Sequence, residues 1–329
     1  MHHLQLTNNA FEGHNSVYLL GTDGDGPLTL VDTGVAIPAV ATELEGELAA
    51  VGVSFADLDR VVLTHWHHDH AGLAGAIQAE SEATVYVHEA DAPLVRQDRA
   101  ALDDLSRRQR ESLDAWGMPE AEQVDLLAFL DRHEDLQGDP ADVAVLTEGD
   151  TVRAGPHDLS VVHLPGHAAG LVAYTFETEG RREAFVGDAI LPKYTPNVGG
   201  ADVRVDRPLA NYLASLDRII DLDLDRAWPG HRGAIIAPCE RARDIATHHE
   251  ERTQRVIDVL AERGPATAWQ VSAALFGDLH DIHVLHGPGE AYAHLDHLVH
   301  AGVVDVTDGE YELLDADRAA TEVLGAIEP

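Results

Sequence analysis

His65, His67, Asp69 and His70 fall within the stretch Thr64-His65-Trp66-His67-His68-Asp69-His70-Ala71-Gly72, directly after the apolar run Val61-Val62-Leu63. Neutral imidazoles and a carboxylate are suitable ligands for first-row metal ions, and a tight turn at a strand end can splay them toward two centres. The chain has 21 histidines, and an isolated histidine is ordinarily a surface or satisfied core residue, so their number carries no weight. Spacing and position carry the inference. Cys239 is the only cysteine, which removes an internal disulfide and a thiolate cluster and leaves nitrogen and oxygen as the available ligands.

The elements around this cluster read as an α/β core. Asn15 to Gly21 and Leu28 to Asp32 are short apolar runs separated by the Gly-rich turn Asp23 to Pro27, which predicts a hairpin. A helix from about Pro38 to Ala50, the buried strand Val61 to Thr64, a helix from about Leu73 and a strand Thr84 to Val87 follow. Residues 90–137 lack a strand pattern and are rich in helix formers, so they are expected to be a helical insertion, either a lid or a packing decoration. Strand patterns resume at Leu159 to His163, Leu171 to Phe176, Ala184 to Val186 and Arg226 to Trp228, with a helix at Leu209 to Ile220. From about Pro238 the texture changes to a long helix through Arg263, a short one at Thr267 to Leu275 and another at about Glu290 to Ala301. Val303 to Val306 and Tyr311 to Leu314 then read as a hairpin about Asp308-Gly309. The expected division is a catalytic domain over 1–237 and a winged-helix-like domain over 238–329.

Composition narrows the function classes. A hydrophobic fraction of 45% over 329 residues can fill one sizeable core and a smaller one. No stretch approaches the roughly 20 apolar residues of a membrane helix, and the N-terminus lacks a signal-peptide pattern, so the expected location is the cytoplasm. There are 58 acidic and 22 basic residues, a formal charge of -36, and Lys193 is the only lysine. Such a surface is similar to those of salt-loving organisms' proteins, where screening makes self-repulsion tolerable. It argues against nucleic acid as a partner, which needs clustered Lys and Arg. From Gly264 to Asp317 there is no Lys or Arg, with ten acidic residues and six histidines, so the C-terminal module is expected to pack, dimerise or cover a pocket.

The histidine cluster resembles the His-x-His-x-Asp-His signature of the metallo-β-lactamase superfamily. The likeness continues at Leu164-Pro165-Gly166-His167, Phe185-Val186-Gly187-Asp188 and Trp228-Pro229-Gly230-His231, each after a strand and in the family's order. The resemblance implies a four-layer αββα sandwich of two mixed sheets between helices. It further implies that His65, His67 and His167 hold one divalent metal and that Asp69, His70 and His231 hold a second, with Asp188 bridging. Zinc is the expected ion, iron and manganese being accepted by the same ligands. Two cations would lower the pKa of a shared water toward neutrality and make a bridging hydroxide the nucleophile, with Asp69 orienting it. Asp32, in Val31-Asp32-Thr33-Gly34, resembles the carboxylate that braces the histidine loop. His68 is expected to be a spacer, His163 structural, and His14 and His88 to lie outside the site.

Lys193 lies five residues beyond Asp188 in a chain that has otherwise eliminated lysine. It is expected to bind a substrate carboxylate or phosphate, with Tyr194 and Asn197 as companions. The leading function is hydrolysis of a small acyl substrate such as a thioester, as in the similar glyoxalase II branch, or a lactone. The alternative is a metal-dependent endoribonuclease or phosphodiesterase of the same superfamily, some of whose members carry a C-terminal winged helix. A homodimer through the terminal module is a further expectation.

Overall fold

The computed structural model describes residues 1–7, 13–132, 134–279, 282–314 and 323. Its first sheet has the order β1 (His2–Leu6), β2 (Asn15–Leu20), β3 (Thr29–Val31), β4 (Arg60–Val62), β5 (Thr84–His88), β6 (Val143–Leu146). β1, β2 and β3 pair antiparallel, and β3 to β6 run parallel. The second sheet has the order β11 (Arg226–Pro229), β10 (Arg181–Gly187), β9 (Val172–Thr178), β8 (His157–His163), β7 (Thr151–Ala154), with β10 and β11 parallel and the remainder antiparallel. The predicted hairpin, strands and alternation are present. β1, β6 and β7 were not legible in the sequence, being only four or five residues long.

The sheets face one another across a core of Tyr18, Leu20, Val31 and Val62 from the first and Leu159, Val161, Tyr174, Phe176 and Phe185 from the second. Their outer faces are covered by helices, including α1 (Pro38–Ala50), α3 (Ala74–Ser81) and α7 (Pro208–Asp221). α7 shows why these sequences form helices that lie on a sheet. Pro208 occupies its first turn, where a missing N–H is harmless, and Leu209, Tyr212, Leu213, Leu216 and Ile219 repeat at helical spacing and are buried. The result is the layered αββα arrangement with mixed sheets.

Residues 90–137 form α4 (Ala92–Val95), α5 (Arg99–Ala115), α6 (Glu120–Arg132) and a short 3-10 turn, Glu134–Gln137. After the second sheet come α8 (Pro238–Arg263), α9 (Ala268–Phe276), α10 (His283–His300) and the antiparallel hairpin of β12 (Val304–Thr307) and β13 (Glu310–Leu313). A second core joins these parts. Leu113, Trp116, Met118 and Leu126 from the helical insertion pack with Val256, Leu260, Val271, Leu295 and Leu298 from α8 to α10. α10 begins seven residues before the Glu290 start expected from sequence, because Gly287-Pro288-Gly289, which reads as a helix breaker, lies inside it. Beyond Leu314 the 238–329 module lies outside the described residues, save Val323. Among the described residues no helix is long and apolar enough to cross a membrane.

His249 and His294 are buried between α7, α8 and α10, and His286 is half-buried on α10. Burial, with His248 and Arg252 adding to it, pushes His249 down to about 3, and burial with His283 pushes His286 down to about 3. Burial likewise holds His294 well below its usual range. A histidine that is neutral when folded and titrates near 6.5 when unfolded contributes stability fully above pH 6.5 and loses it as pH falls toward its folded value. The melting temperature is therefore expected to fall steadily from pH 6.5 to pH 4 in calorimetric scans at constant ionic strength. A flat profile over that window would contradict the burial of neutral imidazoles.

Candidate metal centre

All the predicted ligands lie at the ends of strands on one edge of the two sheets. Asp32 follows β3, the His65 to His70 loop and the short helix α2 (His68–Ala71) follow β4, His167 lies in the β8–β9 turn, Asp188 follows β10 and His231 follows β11. Parallel pairing of β3 with β4, with Val31 opposite Val62, sets Asp32 beside Thr64. Asp32 adopts φ 59°, a left-handed conformation that a non-glycine residue holds only when its surroundings over-determine it. Here its Oδ1 accepts from Thr64 N (2.8 Å), and its Oδ2 accepts from Thr64 Oγ1 (2.8 Å) and faces His70 Nδ1 (3.0 Å).

Hydrogen-bond logic settles which ring atoms are bare. Carbonyl oxygens only accept, so His167 Nδ1, 2.9 Å from Asn197 O, and His67 Nε2, 3.2 Å from Ala201 O, must carry the ring protons. Thr64 Oγ1 spends its proton on Asp32, so at 3.1 Å it accepts from His65 Nδ1. The nitrogens left without protons are His65 Nε2, His67 Nδ1 and His167 Nε2. His67 Nδ1 lies 3.0 Å from His65 Nε2 and 3.0 Å from His167 Nε2. Three lone pairs held against one another in a buried site repel unless a cation lies among them, and a trio of neutral imidazoles is a fitting donor set for a divalent ion. Burial first, then the neighbouring His70 and His67, holds His65 well below its ordinary range, and burial with His167 does the same to His67, keeping both in the form that can ligate.

The second group is richer in charge. His231 Nε2 is 3.3 Å from Asp188 Oδ2 and 3.4 Å from Asp69 Oδ2, and His70 Nε2 is 3.6 Å from Asp188 Oδ1. Buried His70 Nε2 and Asp188 Oδ1 have no hydrogen-bond partner. Although burial opposes its charge, Asp188 and Asp69 hold His231 up at about 10, and Asp69 with Asp188 likewise raise His70. The same coupling keeps both carboxylates ionised against the cost of burial. Asp188 also approaches the first group, with Oδ2 3.7 Å from His167 Nε2. It therefore stands between the two donor sets. Gly230 is required by this crowding, since a Cβ there would lie 2.4 Å from Asp188 Oδ1 and 2.4 Å from His70 Cε1.

A family profile described as the metallo-beta-lactamase superfamily matches residues 10–231. The chain belongs to the metallo-beta-lactamase superfamily. It is 31% identical over 289 residues to a probable metallo-hydrolase of Bacillus subtilis, covering 85% of this chain and 86% of that one. Among solved structures, a metallo-beta-lactamase family protein of Thermus thermophilus superposes with a TM-score of 0.81 at 30% identity, covering 95% of this chain and 98% of the other. An atrochrysone carboxyl ACP thioesterase of Aspergillus fumigatus is 25% identical over 284 residues, 82% of this chain and 52% of that protein. Members of this superfamily are metal-dependent hydrolases.

Several residues that hold the loops of the candidate site together were not singled out from sequence. Arg204 reaches Asp91 Oδ1 at 2.7 Å and Asp202 Oδ2 at 2.6 Å in a buried triad. Asp91 Oδ2 accepts from Trp66 N (3.1 Å), while Asp202 Oδ2 accepts from Trp66 Nε1 (3.2 Å) and Ala169 N (2.9 Å), so the triad grips the residue between His65 and His67 and the turn beyond His167. Burial pushes the Asp91 carboxyl up to about 6 even beside Arg204. Asn15 Nδ2 donates to Asp69 Oδ2 at 3.2 Å. No motif marks these residues, because apart from the Arg204–Asp202 pair their partners are 25 to 136 positions away.

Lys193 and Tyr194 are exposed and line a cavity of about 590 Å³ with Arg241, Asp244, His248 and Glu251, which none of the seven ligand residues lines. Lys193 Nζ stands 5.1 Å from the Tyr194 ring centroid, with Arg232 on the same ring at 4.9 Å. Asn197 has a different job from the substrate contact expected of it. Its Oδ1 accepts from Gly200 N and Ala201 N and its Nδ2 donates to His286 O and Glu290 Oε2, so its amide is committed inside the protein. His163 stacks on His88 at 4.1 Å and its Nε2 bonds Ala169 O, away from the ligand groups.

Arg204→Met leaves Asp91 and Asp202 as uncompensated buried carboxylates. Its expected cost is about 3–5 kcal/mol in denaturant unfolding; a cost below about 1 kcal/mol would show that the triad is not holding the loop.

Proposed function

We propose that the chain is a two-metal hydrolase of a small acyl substrate, a thioester, lactone or related ester. The observation that carries the metal reading is the convergence of the three bare nitrogens of His65, His67 and His167 at one point, beside a second set formed by Asp69, His70 and His231, with Asp188 between. Groups of this kind could each hold an ion. Two divalent ions, zinc being the expected identity, would supply a nucleophilic water near neutral pH and a positive field for charge that develops on the scissile oxygen. Asp69 is held ionised by His70 and His231 and takes a hydrogen bond from Asn15 Nδ2, so it is placed to orient an attacking water. Asp188 supplies negative charge to both donor sets. Asp32 fixes His70 through Nδ1.

The thioesterase named among the relatives favours the acyl reading. The formal charge of -36 and the absence of Lys and Arg from Gly264 to Asp317 weigh against RNA, although helices followed by a hairpin fit a winged-helix-like module over 238–329. Lys193 is proposed as an anchor for an anionic part of the substrate, since among the described residues no ion pair engages it.

The test is hydrolysis by zinc-loaded protein of a thioester, a lactone, a phosphodiester and single-stranded RNA, with bound metal measured by elemental analysis. Acyl turnover with about two ions per chain, lost by at least 100-fold in His67→Ala and Asp188→Ala, is the expected result; turnover of RNA alone would overturn the substrate class. Lys193→Ala is expected to raise KM for an anionic acyl substrate about two- to fivefold with kcat unchanged, the scale of one exposed ionic contact. An unchanged KM would remove Lys193 from substrate binding.

A further inference from the structure

The sequence His286-Gly287-Pro288-Gly289-Glu290 lies inside α10, where glycine and, more strongly, proline are unfavourable relative to alanine. What the helix gains is a close approach. A Cβ on Gly289 would lie 2.3 Å from Gly200 Cα, one on Gly200 would lie 2.7 Å from His286 Cα, and one on Gly199 would lie 2.5 Å from Gly289 O. The bared stretch of α10 therefore receives the loop 197–201 backbone to backbone.

That loop supplies the two carbonyls that orient ligand histidines. Asn197 O takes His167 Nδ1 and Ala201 O takes His67 Nε2. Asn197 holds the loop in shape, accepting from Gly200 N (3.1 Å) and Ala201 N (2.8 Å), and ties it to α10 by donating to His286 O (3.1 Å) and Glu290 Oε2 (3.2 Å). Glu290 is buried and paired with Arg252 of α8, whose other terminal nitrogen meets His248 Nε2 at 2.8 Å. Glu290, His249 and His294 lie close enough to be read as ligands of another cation. Arg252 already neutralises Glu290, however, and both His294 nitrogens are engaged, by Thr253 Oγ1 at 2.7 Å and His249 Nδ1 at 3.3 Å. The cluster is a brace.

We propose that α8 and α10 are working parts of the metal centre: the Arg252–Glu290 pair anchors Asn197, and through the 197–201 loop it fixes the tautomer and ring angle of His167 and His67. Glu290, Arg252 and Asn197 are positioning residues that tune one of the two metal sites and leave the other alone. This rests on the two-metal reading above.

The experiment is a titration of the chelated full chain with zinc, followed by calorimetry, beside a thermal melt of each protein. Asn197→Ala and Glu290→Ala are expected to weaken one binding step by roughly 10- to 100-fold, the usual effect of removing a group that orients a ligand, with the other step unchanged. Glu290→Gln keeps an oxygen for Asn197 Nδ2 and is expected to stay within a few-fold of the wild type. Wild-type affinity at both steps in the alanine variants, whatever their melting temperatures, would overturn the proposal, as would equal weakening of both steps, which marks general loosening. If Glu290→Ala does not fold, Asn197→Ala, a loop substitution, decides. A wild-type chain that binds no zinc would sink the metal reading itself, an outcome distinct from bound zinc with insensitive variants.

Discussion

Three imidazole lone pairs gathered in a buried site, those of His65 and His167 each 3.0 Å from that of His67, are the constraint on which the rest of the structure turns. Left to themselves the rings would rotate or protonate to escape one another. Each is prevented by a bond on its far nitrogen: Thr64 holds His65, Ala201 holds His67 and Asn197 holds His167. A proton placed on the far side of a ring obliges the near side to offer electrons. The protein thus stores, in ordinary hydrogen bonds to backbone and hydroxyl, a geometry whose natural complement is a cation.

The supports for that geometry come from four directions. Asp32, in a left-handed conformation, spans Thr64 and His70. The Asp91–Arg204–Asp202 triad grips Trp66, and Asn197 leans on α10. Asn15, on β2, reaches Asp69. These groups are buried, where an unpaired charge is costly, so each is matched with an opposite charge or a donor. The strongly acidic composition does not extend to these contacts, where arginines are placed one by one against specific carboxylates. Charge outside governs solubility, and charge inside governs position.

The helical insertion and the C-terminal helices share a core that the sequence does not reveal. Leu113, Trp116 and Met118 meet Val256, Leu260 and Leu295 across a long span of intervening chain. Periodicity reports that a helix has an apolar face and is silent about which face covers it. The same limit explains the misplaced start of α10. Gly287-Pro288-Gly289 is punctuation by local rules, and only the loop pressed against it reveals why the helix continues through.

By itself the sequence determined the α/β alternation, the superfamily and the order of the ligand motifs, because strand runs and the spacing of His65, His67, Asp69 and His70 are local patterns. His167, Asp188 and His231 were marked by short motifs that resemble the superfamily's, each lying within a few residues of the end of a strand. Tertiary structure alone decided the rest: which ring nitrogen of each histidine faces inward, that the Asn197 amide turns toward Glu290, and that Arg204 and Arg252 are braces. Those facts depend on partners as far as 136 positions apart, and the direction of a hydrogen bond becomes defined only when the chain has brought donor and acceptor together.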